Sequence, residues 1–137
     1  MRNIFYFLIL LSLTGCSGIF KKHIINNYYL TASDYSEYDM SLSCIIDNTG
    51  GFIETVGPTI IELEYDSNYI VIKQNPRNFP DAPNKEIINY YIVFVKKSND
   101  DGFNNNLVGP LSLSEFNDFK IKLRFDKLKS ISIEDIL

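Results

Sequence analysis

A chain of 137 residues with a formal net charge of −4 has the length of a single domain. Its acidic balance, with no basic stripe, argues against nucleic acid as a partner. One histidine and two cysteines cannot supply the four Cys/His ligands of a structural zinc site, and no phosphate or dinucleotide fingerprint is present, so no metal and no cofactor are expected.

The first predicted element is an export signal. Arg2 stands beside the amino terminus, and a mostly apolar run from Ile4 to Leu13 follows. The run is too short for a bilayer, which needs about 20 residues. Small residues then lead to a cysteine, as at a signal-peptide cleavage point. Leu13-Thr14-Gly15-Cys16 resembles the bacterial lipobox. The resemblance implies that residues 1–15 are a lipoprotein signal peptide and that Cys16 is the lipidation site. It implies a cell or outer membrane as partner, held through the lipid on the exported side. Leu13-Thr14-Gly15 makes a poor small-x-small site for a plain secretory cleavage, and a buried cytosolic helix rarely begins at residue four.

Removing residues 1–15 leaves 122 residues and takes Arg2 away, which moves the formal charge to −5. Anionic head groups mildly repel such a surface, so acyl chains must do the anchoring. One acyl chain binds marginally and two hold well. Residues 16–26 read as a lipidated tether containing Lys21, Lys22 and His23, and residues 27–137 as one globular domain.

Within that domain, residues 28–32 form the first expected strand. Residues 40–46 alternate and form the second, a turn cluster with Gly50 and Gly51 follows, and 52–56 form the third. A hairpin is expected from 60–65 and 69–73 around Asp66, Ser67 and Asn68. Pairing of Tyr65 with Tyr69 would set Leu63 opposite Val71, with Ile61, Leu63 and Tyr65 sharing a face. Three prolines make 74–85 a loop. The apolar run 87–95 reads as a strand covered on both faces, and 98–106 as a polar loop.

The C-terminal region carries two conflicting patterns. Ser112 and Glu115 are spaced as a capping box, and Leu113, Phe116, Phe119 and Leu123 follow helical spacing. Residues 119–125 nevertheless alternate as a strand would. The cap and Phe116 favour a helix over 112–124, with a short strand at 128–133. The expected class is α+β: a mainly antiparallel sheet of about five or six strands with one helix near the C-terminus.

The stretches beginning Asn27-Tyr28-Tyr29-Leu30, Tyr69-Ile70-Val71-Ile72, Ile88-Asn89-Tyr90-Tyr91 and Gly109-Pro110-Leu111-Ser112 resemble a class of small uncharacterised bacterial lipoproteins over nearly the whole mature chain. The resemblance implies the domain limits and the helix. It implies no site.

The search for chemistry yields no catalytic residues. Cys16 is consumed by lipid, so Cys44 has no disulfide partner; it reads as a buried thiol packing as a small hydrophobe. A nucleophilic reading would need His23, which falls in the tether. Glu62 and Glu64 share a strand face about 7 Å apart, within the range of inverting glycosidases. Such pairs usually flank a cleft from separate elements, and two glutamates on one strand read better as a solvent face. Residues 99–104 lack the spacing of a calcium loop. The expectation is a non-enzymatic envelope module, binding or structural, whose partner is an envelope or secreted protein. The alternative is a cell-envelope hydrolase using carboxylates. Converging acids in a pocket would favour the hydrolase, and a shallow face with exposed aromatics would favour the binding module.

Overall fold

The continuous apolar run at 87–95 and the alternating run at 28–32 end up in different sheets. The computed structural model describes residues 19–33, 36–46, 50–95, 106–125 and 127–136. Cys16, the apolar run before it, most of the expected 47–51 turn and the acidic 99–104 loop lie outside them. Strands β1 (Phe20–Ile25), β2 (Tyr28–Ala32), β3 (Ser41–Ile45) and β4 (Phe52–Val56) form a four-stranded sheet in the order β1-β2-β3-β4. Strands β5 (Ile60–Tyr65), β6 (Tyr69–Gln74), β7 (Asn89–Phe94), β8 (Leu107–Leu111) and β9 (Lys129–Ser132) form a five-stranded sheet in the order β8-β7-β6-β5-β9. All pairings are antiparallel. Helix α1 (Leu113–Leu123) and two single 3-10 turns, Glu37–Asp39 and Ile133–Asp135, complete the described residues. The class is the expected one, mostly β with one helix near the C-terminus.

One apolar cluster joins the two sheets. Leu30, Met40 and Leu42 on the first-sheet side meet Ile60, Leu63, Ile70, Ile72 and Val93 of the second, and all eight are fully buried. Each such side chain contributes about 1.5–3 kcal/mol through the area removed from water. A second cluster lies on the far face of the five-stranded sheet, where Val71, Tyr90 and Ile92 meet Phe116 of α1. The Tyr90 and Phe116 rings stack at 4.7 Å and 12°. The run at 87–95 is therefore covered on both faces as its composition predicts, although Ile87 and Ile88 before β7 are exposed.

The helical reading of 112–124 holds. Ser112 and Glu115 form the reciprocal capping box, and the chain leaves the helix at Arg124 in left-handed geometry, φ 52°. Burying Phe116 beside partly buried Phe119 and Leu123 outweighs the β-like alternation. Leu113, expected on the same stripe, is exposed.

Three expectations are corrected. Residues 20–25, read within the tether, form β1, and Ile24 is buried in the common core. Strand β8 was not foreseen. It packs so closely on β7 that a Cβ on Gly109 (φ 137°) would lie 2.6 Å from Tyr91 Cδ1 and 2.7 Å from the Tyr90 carbonyl oxygen. The β5–β6 register is one residue off the expected one: Tyr65 faces Ile70 and Leu63 faces Ile72. The cause is Asp66. Its Oδ1 accepts from the amides of Asn68 (2.7 Å) and Tyr69 (2.8 Å), and its own amide donates to the Tyr69 carbonyl (3.0 Å). Asp66 and Tyr69 thus close a tighter loop. A register irregularity between Ile60 and Glu62 then gives Ile60, rather than Ile61, the core position.

Candidate functional site

The structure separates the residues that sequence reasoning singled out. Cys44 is buried opposite Tyr28, on the core face of the first sheet. Burial pushes the Tyr28 hydroxyl up, Cys44 adds to the rise, and a hydrogen bond to Asn106 offsets part of it. His23 is paired with Tyr29 on the opposite face, so the imidazole and the thiol lie on different sides of one sheet. Glu62 and Glu64 share the outer face of the five-stranded sheet, where Lys73 Nζ donates to Glu62 Oε2 at 2.6 Å. That bond is the first cause of a raised Lys73 pKa. Across the strand, Glu62 and Glu64 face Ser132 and Ser130, not another carboxylate. Among the described residues no cluster of three or more metal-ligating side chains occurs.

The first candidate site is the outer face of the four-stranded sheet. Register places Lys21, His23, Tyr29, Ser43, Phe52 and Glu54 there across three neighbouring rows. The Tyr29 ring lies 4.9 Å from His23 and 5.8 Å from Phe52, the latter edge-on at 86°. Lys21 Nζ sits 4.8 Å from the Tyr29 centroid and 4.7 Å from that of Phe52. A cation over two rings gains from both quadrupoles, by about 0.5–1 kcal/mol at an exposed site. Phe52 and its neighbour Ile53 are 40% and 38% exposed on the edge strand β4. An edge strand with apolar side chains on both faces is a ready docking line for another chain. The other edge, β1, carries Lys21 and Lys22, charges that discourage such pairing. The alternation of Tyr28, Leu30 and Ala32 against Tyr29 and Thr31 already signals that Tyr29 faces outward. Its meeting with Phe52 and Lys21 depends on register and has no local signature.

The second candidate is a pocket of about 210 Å³ lined by segments distant in sequence, among them Tyr38, Thr59, Ile60, Lys85, Ile133 and Glu134. A hydrogen-bonded frame builds it. Thr59 Oγ1 donates to the Tyr38 carbonyl (3.0 Å), and the Asn75 amide donates to the Thr59 carbonyl (3.1 Å). Gln74 Nε2 donates to the Gly57 (2.8 Å) and Pro58 (2.7 Å) carbonyls, and Asn75 Nδ2 to that of Ile87 (2.8 Å). Arg77 ties the adjoining loop to the first 3-10 turn through Asp39 at 3.1 Å. Thr59, Gln74 and Asn75 are all buried, and no buried side-chain nitrogen or oxygen among the described residues lacks a partner. Each such bond adds about 0.5–1.5 kcal/mol net, while an orphaned partner would cost more. The frame therefore fixes the pocket's shape. Nothing in the local sequence announces it, because its bonds join residues 12 to 38 positions apart.

The family model described as "Protein of unknown function (DUF3997)" matches residues 25–135, and the chain belongs to that family. No curated protein and no solved structure matches the chain.

Proposed function

We propose that this protein is an exported lipoprotein, anchored through Cys16, which works as a non-enzymatic binding module and holds an envelope or secreted protein on the open face of its first sheet. The observation that carries the reading is the Lys21–Tyr29–Phe52 cluster on a sheet face next to an apolar edge. Aromatic side chains pre-set by neighbouring strands lose little entropy on binding and make strong interface anchors. Support for the anchor comes from Leu13-Thr14-Gly15-Cys16 and from the acidic charge that leaves the acyl chains to hold the membrane. No helix among the described residues is long and apolar enough to cross a bilayer. The hydrolase reading would be favoured by facing carboxylates. Glu62 is instead held by Lys73, and Glu134 is the one carboxylate lining the described pocket.

A photo-crosslinking residue at Phe52, in native membranes, tests this reading. A discrete crosslinked species is expected, and Tyr29→Ala should abolish it while Glu64→Gln on the other sheet leaves it unchanged. Equal crosslinking in both variants sinks the open-face reading. Fatty-acid labelling that persists in Cys16→Ala sinks the anchor separately.

A further inference from the structure

We propose that the framed pocket binds a small zwitterion with an apolar side group, of which an apolar α-amino acid is the simplest example. The inference is independent of the open-face reading and of the anchor. Size sets the first limit: about 210 Å³ is below the roughly 300–1,000 Å³ of sites for drug-sized ligands. Nucleotides and long acyl chains are too large, and a guest of one residue's bulk fits.

The lining sets the second limit. Half-buried Ile61 and the Tyr38 ring, 37% exposed, give the apolar lining. Lys85 and Glu134 are the charged lining residues, one of each sign. Neither takes part in the ion pairs among the described residues, which are Lys73–Glu62 and Arg77–Asp39. Lys85 Nζ lies 5.8 Å from the centroid of the Tyr38 ring, which lines the same pocket. A carboxylate would meet Lys85, an ammonium would meet Glu134, and the side group would rest on Ile61 and the Tyr38 ring. A phosphorylated guest would find one cation and a repelling carboxylate. Because buried Thr59, Gln74 and Asn75 already hold the walls through hydrogen bonds, the guest would not have to order them.

Calorimetric titration of the full chain, in non-ionic detergent micelles, with L-leucine tests the proposal. Saturable binding is expected, weakened at least about tenfold in Lys85→Met and in Glu134→Gln, as for loss of a charge-assisted contact. Both positions are exposed, so the circular-dichroism spectrum should not change. N-acetyl-leucine, which lacks the ammonium, and leucinamide, which lacks the carboxylate, should each bind at least about tenfold more weakly than leucine. That analogue series uses the unaltered chain and decides the matter even if a variant fails to fold. Equal binding by the blocked analogues, unchanged affinity in folded variants, or no saturable heat up to about 10 mM overturns the proposal.

Discussion

The two sheets share one core but treat their outer faces differently. On the five-stranded sheet, α1 lays Phe116 over Tyr90 and Ile92. On the four-stranded sheet, the corresponding side carries Lys21, Tyr29 and Phe52 in contact with one another, with Phe52 substantially exposed. The strands carry the difference in their composition. Strands β6 and β7 bury side chains on both faces, whereas β2 alternates buried and half-buried positions along its length. A strand sandwiched between core and helix reads as a continuous apolar run, and a strand with one free face reads as an alternation. Aromatics on the covered face work for stability; those on the other face are the ones that the proposed partner would meet.

The sharpest way to break that comparison is the same truncation on each side. Phe116→Ala should cost about 3–5 kcal/mol, because it removes a buried ring and uncovers the second cluster. Phe52→Ala should cost under about 1 kcal/mol, because its ring is already 40% exposed. Urea unfolding followed by circular dichroism measures both, and equal losses would mean that the two outer faces are not different in kind.

A smaller effect is expected at the helix cap. Ser112→Ala removes the hydroxyl that accepts from the Glu115 amide and should cost about 1 kcal/mol. Hydrogen bonds from Ser112, backbone first, hold the Glu115 carboxyl below the ordinary glutamate value of 4.5. A lowered folded-state pKa gives stability that is fully present above pH 4.5 and is lost as the pH falls through the depressed value. The gap between the original chain and Glu115→Gln should therefore close on acidification, as unfolding curves taken from neutral pH downward will show.

The smallest effect belongs to Lys73. Its pKa is raised above 10.5, chiefly by the hydrogen bond to Glu62, so its contribution is complete below pH 10.5 and fades as the pH rises through the raised value. The pair is about one-third exposed, and Lys73→Met should cost no more than about 1 kcal/mol at neutral pH. A larger loss would mean that the outer face of the five-stranded sheet depends on this pair as well as on the helix.

Local pattern made much of this legible. Strands β2, β4 and β5 fall where alternation and turn residues put them, and the Ser112–Glu115 box correctly overrides the alternation of 119–125. Strand β1 was hidden because its basic residues resemble a linker, although Lys21 and His23 face outward while Ile24 reaches the core. The β5–β6 register depended on an aspartate side chain closing the loop, which residue counting does not reveal. The aromatic cluster and the pocket were out of reach for a different reason. Both arise where residues far apart in the chain are brought together, and no short window of sequence contains them.

The start of β1 has a mechanical consequence for the proposed anchor. Cys16 stands four residues before Phe20, so the leash from lipid to sheet can extend at most about 14 Å. A domain of this size has a radius of gyration of about 14 Å. If Cys16 carries the proposed lipid, a leash no longer than the body's own radius would sharply restrict tumbling and would keep the β1 edge nearest the bilayer. With strands about 4.8 Å apart, β4 lies about 14 Å farther across the same sheet. In the proposed anchored state its apolar edge would then be offered laterally or upward, to a partner diffusing along the membrane or arriving from the space above it.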